Sequence, residues 1–386
     1  MTIRMLTAGE SHGRAIMAII EGIPAGLVVN AEDIDAELAR RQKGYGRGAR
    51  MKIETDFVRI LSGVRHARAL GSPIVMYVHN MDWNNCKPLM SPVSVDLDGT
   101  ILEKPRPGHA DLAGLMKYGV KDFRDILERA SARETAGRVA AGAVCKELLS
   151  IFGILVQSYI VQIGGVCADI KSIPKDKLFS KAEESPVRCP DKVASEKMIS
   201  LIKKAGAKGD TLGGKFVVKI SNVMAGLGSH TQWDLKLDAR LSQSLMSIQA
   251  IKAVEIGEGV NFAALNGSIS HDEIFYNSKK GFFRNTNRAG GIEGGMSNGS
   301  PIEITCSMKA IPSLAKPLRS VNIISKKAQR AQAVRSDVCA VPAAAVVAEA
   351  AAAFEIARAL KEKFGGDCIE DMKKSVQAYK ARLKTL

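Results

Sequence analysis

Two histidines stand where chain breakers would present them from turns. Gly9-Glu-Ser-His12-Gly follows a short apolar start and precedes the apolar run Ala15-Ile-Met-Ala-Ile-Ile, which places His12 near a strand end. Arg106-Pro-Gly-His109-Ala-Asp111 puts a second histidine after Pro107 and Gly108, flanked by an arginine and an aspartate. Asp337 lies in Arg335-Ser-Asp, just before a long alanine-rich run. Histidine titrates near neutrality and can give a proton to a leaving group or a bound cofactor, while an aspartate can relay or accept one.

Cations cluster beside these residues. Residues 40–52 read RRQKGYGRGARMK, so that Arg41, Arg47 and Arg50 lie in and beside a glycine-rich loop suited to closing on phosphate or carboxylate. Arg106, Arg129 and Arg133 lie within the densest chemical stretch, residues 106–141. Ser131 is the expected N-cap of a helix running to about Ile154, with Glu134 completing a capping box and the free N–H groups favouring an anion. Residues 287–299, NRAGGIEGGMSNG, are too glycine-rich for a helix and suit backbone wrapping closely round a ligand. No P-loop, no G-x-S-x-G elbow and no H-E-x-x-H motif occurs, which disfavours nucleotide hydrolase, serine hydrolase and zinc protease chemistry. From the residues alone, the reading stops at an enzyme acting on a small phosphorylated anion.

The elements that must carry these loops read as alternating strands and helices, a pattern that also fits an α/β label. Residues 31–41 predict an amphipathic helix, acidic early and basic late. Residues 74–78, 154–164, 215–220 and 301–309 predict strands, residues 234–247 and 342–364 helices, and the end from Asp371 a short basic helix. Residues 171–208, rich in Lys, Glu, Pro and Ser, predict a peripheral insertion with one helical run near 195–205. A second glycine-framed histidine, His230, follows Gly226-Leu-Gly-Ser.

With 386 residues and 46% hydrophobic content the chain can bury a substantial core, as one large domain or two to three smaller ones. Lys and Arg number 55 against 40 Asp and Glu, a formal +15 that calls for an anionic partner. Only 5% of residues are aromatic and no basic run is interleaved with them, so small anions fit better than nucleic acid. Seven cysteines lie far apart, without C-x-x-C pairs or metal-ligand spacing, and read as reduced thiols with no metal site. Neither a signal peptide nor an apolar stretch long enough to span a bilayer is visible, and a cytoplasmic protein without membrane association is expected.

The ordered set GESHG, RRQKGYGRGARMKIETD, ILSGVRHARALGSPI, RPGHADLAGLMKYG, SARETAGRVAAGA, DTLGG, GLGS, AVEIGEG, NRAGGIEGGMSNG and RSDVCAVPAAAVVAE closely resembles the chorismate synthase family, in the family's order. The resemblance implies an α+β fold in which helices lie between two antiparallel sheets, as a single large domain over residues 1–364 with a C-terminal helical tail at 365–386, assembled as a homotetramer. It implies anti 1,4-elimination of phosphate from 5-enolpyruvylshikimate 3-phosphate to give chorismate, with reduced FMN and no net redox change. His12 and His109 then protonate the leaving phosphate and the reduced flavin, and Asp337 assists deprotonation through the flavin. Arg41 and Arg47 match the loop arginines assigned to the phosphorylated ligand or to a nicotinamide nucleotide. Flavin contacts fall on Arg129, Ala130, Ser131, Gln249, Ala250, Gly294, Lys309, Ala310, Ile311, Pro312, Ser313 and Arg335. Three departures stand out: Ala130 replaces a serine, Ala310 precedes Ile311-Pro312 where Lys-Pro is usual, and Asn322 stands where an aspartate is common. The long insertions of members that reduce their own FMN are absent, so a monofunctional enzyme is expected, reaching NADPH only through a separate flavin reductase.

Overall fold

Alternation of apolar and polar residues builds two antiparallel sheets. The structure, a computed structural model, describes residues 2–48, 54–95, 101–279, 281–333 and 336–385. One sheet contains β1 (Arg4–Ala8), β2 (Ala15–Glu21), β3 (Val58–Ser62) and β4 (Ile74–His79), in the order β1-β2-β4-β3. The other contains β5 (Leu155–Ile163), β6 (Val166–Cys167), β7 (Gly214–Ser221), β8 (Ile251–Ile256) and β9 (Ile302–Met308), in the order β8-β9-β7-β5-β6. In β4, Ile74, Met76 and Val78 are buried while the alternate residues Val75, Tyr77 and His79 are partly exposed. A sheet with one face on a core reads this way.

Between the sheets run helices. The chain forms α1 (Ala31–Gln42), α2 (Asp111–Tyr118), α3 (Arg124–Ala130), α4 (Thr135–Ser150), α5 (Leu178–Glu184), α6 (Lys192–Ala207), α7 (Leu237–Met246), α8 (Val341–Phe364) and α9 (Ile369–Leu383). Helix α4 packs on β1, β2 and β4, helix α8 packs on β5 and β7, and the two helices cross each other. The architecture is therefore the α+β sandwich. The strand–helix alternation along the sequence does not make a parallel α/β sheet, because every strand pair within the two sheets is antiparallel.

A helix enclosed on all sides must be apolar on all sides, and small where helices cross. Every residue of α8 from Val341 to Ala357 is buried, most of them alanine or valine. Gly142 of α4 meets Ala350 of α8 so closely that a Cβ there would lie 2.6 Å from the Ala350 Cα. Charge also enters this core, with Glu349 fully buried and Glu355 nearly so. Glu349 accepts from Lys146 at 2.6 Å, Arg40 at 2.8 Å, Ser158 at 2.6 Å and Arg188 at 3.1 Å. Burial alone would raise its carboxyl, but the three cations hold it well below the carboxylate range.

Two local readings change. The helix expected to follow Ser131 directly starts at Thr135, after a single 3₁₀ turn (Ala132–Glu134) that Ser131 caps by accepting the Arg133 N–H at 3.3 Å. Glu134 does not close a capping box, because its carboxylate accepts instead from Thr7 at 2.8 Å and Arg138 at 3.0 Å. The stretch 171–208 carries α5 and α6 and sends Val187, Cys189, Ala194, Met198 and Ile202 into the same core as the sheets. Ile369, Met372 and Val376 of α9 join it too. All seven cysteines are free thiols.

Candidate active site

The turn between β1 and β2 carries His12. It needs glycine at position 9, where φ is 101° and a Cβ would meet the Ala15 carbonyl oxygen at 2.1 Å. Helix α3 grips this turn. The Ser11 N–H donates to the Glu128 carbonyl at 3.0 Å and the His12 N–H to Glu128 Oε2 at 2.8 Å, with His12 Nδ1 2.9 Å from Oε1. Arg129 donates to the Gly9 carbonyl at 3.0 Å and the Thr7 carbonyl at 2.8 Å, and Ser131 lies 3.2 Å from the Ser11 hydroxyl.

His109 is held from behind. Asp111 opens α2, is fully buried, and accepts from the Arg106 backbone N–H at 3.0 Å and its Nε at 2.9 Å. His109 Nδ1 lies 2.5 Å from Asp111 Oδ1. Burial alone would raise the Asp111 carboxyl, but the bonds from His109 and Arg106 hold it well below the usual range. A carboxylate that stays ionised only accepts, so Nδ1 carries the hydrogen. Arg106 Nη2, 3.0 Å from that Nδ1, then donates to Asp111 Oδ1 at 3.0 Å.

The expected flavin segments dock on this loop. Arg106 Nη1 donates to Ser313 Oγ at 2.6 Å and Lys309 Nζ to the Gly108 carbonyl at 2.6 Å. Thr211 donates to the Ile311 carbonyl at 2.7 Å, and Gly213 has no room for a Cβ, which would lie 2.8 Å from the Ala310 nitrogen. The Lys309 N–H donates to the Ala250 carbonyl at 2.9 Å, and Ala250 is held at φ 68°, a conformation that L side chains rarely adopt. Its neighbour Gln249 donates to Glu134 Oε2 at 3.3 Å, while Gln249 Oε1 is buried with no hydrogen-bond partner among the described residues. Burial alone would raise the Glu134 carboxyl, but Arg138, Thr7 and Gln249 hold it low.

The arginines divide. Arg41 and Arg133, expected at the phosphate, lie beneath the surface on one aspartate, 3.3 and 2.5 Å from Asp56. Arg41 also donates to Thr135 Oγ1 and the Ala132 carbonyl, both at 3.0 Å, and Arg133 to Asn80 Oδ1 at 2.8 Å. Burial, opposed by Asp56 and reinforced by Arg133 and Arg47, pushes Arg41 down to about 10, still charged at neutral pH. Arg47 instead faces Asp337 at 3.3 Å, and Asp337 accepts the Gly48 N–H at 2.6 Å. Val338 in turn accepts the Leu212 N–H at 2.8 Å, which links the Arg47 loop to the turn holding Ile311.

The loops of His109, Gln249, residues 309–313, Thr211 and Asp337 are thus hydrogen-bonded in sequence, and Glu134 joins Gln249 to the strand bearing the His12 turn. Arg50 and Arg335 lie outside the described residues. Gly294 is exposed at the tip of a hairpin whose Gly295 carbonyl accepts the Leu237 N–H, at the start of α7. Gln249 follows the other end of that helix. Ten helical residues span roughly 15 Å, so the hairpin and Gln249 are anchored at opposite ends of that helix. His230 is exposed. Among the described residues no cluster of His, Cys, Asp and Glu is arranged to hold a metal, and no helix is long and apolar enough to cross a membrane.

Sequence reasoning missed Glu128, Asp56 and Asn80, and with them Glu54, which is buried 3.6 Å from Arg133. Glu54 and Asp56 were visible only as polar residues in a strand-like run, and nothing local marks Glu128 or Asn80.

Comparison with known proteins bears directly on this arrangement. The profile described as chorismate synthase matches residues 3–360. A chorismate synthase of Endomicrobium trichonymphae is 68% identical over 384 residues, covering 100% of both chains. One of Desulforudis audaxviator is 52% identical over 383 residues, covering 99% of this chain and 98% of its own. A crystal structure of chorismate synthase superposes with a TM-score of 0.81 at 42% identity, covering 100% of this chain and 99% of that one. With the motifs, the antiparallel sandwich and full-length similarity in agreement, the chain belongs to the chorismate synthase family.

Proposed function

We propose that the lyase reaction of this family, which forms chorismate in the shikimate pathway to aromatic amino acids, is run here by His12, His109 and Asp337 on 5-enolpyruvylshikimate 3-phosphate. His12 and His109 hold and move protons at Nε2, one toward the departing phosphate and one toward the cofactor, and Asp337 assists the loss of the ring proton. Arg47, and by expectation Arg50, bind the substrate's anionic groups together with Arg106. Arg41 and Arg133 act from beneath as fixed positive charge. The observation that carries this reading is the pair of loop histidines, each with Nδ1 against a buried carboxylate, which leaves Nε2 for ligand chemistry.

Reduced FMN, when bound, lends electron density to the allylic system as phosphate leaves. The residues present fit that cofactor. Glu134, held low and so acceptor-only, fixes the Gln249 amide with its NH₂ inward, which leaves Oε1 as a buried acceptor that an N–H donor of a flavin ring would satisfy. Arg129, Ala130 and Ser131, with residues 309–313, Ala250 and by expectation Arg335, line the same place; Gly294 would serve from its own hairpin. The reduced flavin comes from a separate NADPH-using reductase, in a reducing cytoplasmic setting that the free thiols suit. Exposed Leu6, Met17, Ile19 and Leu61 on the first sheet support self-association, as expected of a homotetramer.

Anaerobic turnover of 5-enolpyruvylshikimate 3-phosphate with chemically reduced FMN, read by chorismate absorbance and phosphate together, tests the reading. Equal formation of both, abolished with oxidised FMN, is expected; FMN binding without product would sink it. Sustained turnover in air with NADPH and no reductase would contradict the monofunctional part alone.

A further inference from the structure

We propose that Glu128 is the positioning residue for His12, fixing which ring nitrogen meets the ligand. This rests on the reading of His12 as a proton-moving group.

Glu128 lies in the last turn of α3 and is 2% exposed. Its carboxylate takes two donors from one residue: Oε2 accepts the His12 backbone N–H at 2.8 Å and Oε1 meets ring Nδ1 at 2.9 Å. The Glu128 main-chain carbonyl also takes the neighbouring Ser11 N–H at 3.0 Å. The turn and the ring are therefore clamped by the same side chain and its own backbone.

An ionised carboxylate has acceptors and no donor, so the ring atom facing it must be Nδ1–H. A free imidazole divides its hydrogen between two nitrogens, whereas a ring held this way keeps Nδ1 occupied in both protonation states. A proton exchanged with a ligand then passes through Nε2, because Nδ1–H stays on Glu128. When Nε2–H gives up its proton the N–H electron pair stays on Nε2, the ring becomes neutral, and Nδ1–H remains on Glu128. Glutamine weakens this clamp: Oε2 is also 3.0 Å from Nδ1, so a single amide oxygen there could accept from both donors, but the amide NH₂ would then take the Oε1 place and set a second donor against Nδ1–H. His109 has a different arrangement, since Asp111 is shared with Arg106.

The test uses the full chain with reduced FMN and the isosteric variant Glu128→Gln, beside His12→Ala. In Glu128→Gln, kcat is expected to fall by about a hundredfold, while KM and FMN affinity stay within about twofold. Nitrogen NMR of histidine-labelled protein, with the His12 signal assigned by its loss in His12→Ala, is expected to show Nδ1–H in the wild type and a mixture of tautomers in the variant. Unchanged kcat or an unchanged Nδ1–H signal overturns the proposal, as does a loss of FMN affinity that accounts for the whole effect. Should Glu128→Gln fold poorly, Glu128→Asp, one methylene too short to reach both donors, carries the same readouts. If His12→Ala turns over normally, the reading of His12 fails and this proposal with it; if His12→Ala is inactive and Glu128→Gln is fully active, this proposal alone fails.

Discussion

Asp337 accepts the Gly48 backbone N–H at 2.6 Å, across 289 residues of sequence, and so latches the arginine loop beside the residue that precedes α8. The adjacent Arg47–Asp337 pair adds charge to the latch.

Asp337→Ala removes both interactions. Trypsin is expected to cleave after Arg47 several times faster than in the wild type, and kcat/KM to fall by about a hundredfold through misplacement of the loop cation as well as loss of the carboxylate. Cleavage at the wild-type rate would mean that the loop stays closed without Asp337.

Gly142 tests how tightly the two sheet-covering helices cross. Alanine is ordinarily the better helix residue by about 1 kcal/mol, yet here the new methyl would lie 2.4 Å from the Ala350 Cβ and 2.6 Å from its Cα. Backbone atoms cannot swing aside, so Gly142→Ala is expected to destabilise by about 1–3 kcal/mol, read from the urea unfolding midpoint. A gain in stability would show that the crossing yields.

Gln249 and Glu134 make a prediction about flavin binding that needs no turnover. Gln249→Leu removes the buried acceptor, and the FMN dissociation constant is expected to rise between a few-fold and tenfold, the worth of one hydrogen bond. Glu134→Gln permits the amide to turn over and is expected to weaken FMN in the same direction. Flavin fluorescence quenching measures both, and unaltered affinity in Gln249→Leu would remove Gln249 from the contact set.

Asp111 gives a pH dependence with a definite sign. Its folded carboxyl is depressed, so its contribution to stability is complete above the unfolded value of about 3.9 and is lost as pH falls toward the folded value. The stability advantage of wild type over Asp111→Asn is therefore expected to be present at neutral pH and at pH 5, and to shrink below about 4. Thermal melts across that range check it; a difference that disappears above pH 5 would point to a different group.

The two histidines were legible because glycine and proline flank them within a few residues, and the buried helix was legible because its composition is apolar all round. Strand positions followed from alternation. Sheet polarity did not, since β2 pairs with β4 and β5 with β7 across long connections whose direction no local pattern records. The polar partners were hidden for the same reason: Glu128 meets His12 across 116 residues, and Asp56 meets Arg133 across 77. Arg41 and Arg133 read as phosphate ligands because burial of an arginine depends on a carboxylate brought from another element, here Asp56. Glu134 looked like a cap because the spacing from Ser131 is right, but Arg138 and Thr7 compete for its carboxylate and win.

Helix α8 packs between two sheets whose strands end at Met308, and it is made after both of them. The first sheet and α4 are complete by Ser150 but have no α8 to cover them until Val341 onward has been added. At 5–20 residues per second that interval lasts roughly 10–40 s. During it the alanine-rich face of α4 is open on a growing chain, so chaperone dependence on the ribosome, rather than the stability of the finished fold, is where truncation before α8 should first be felt.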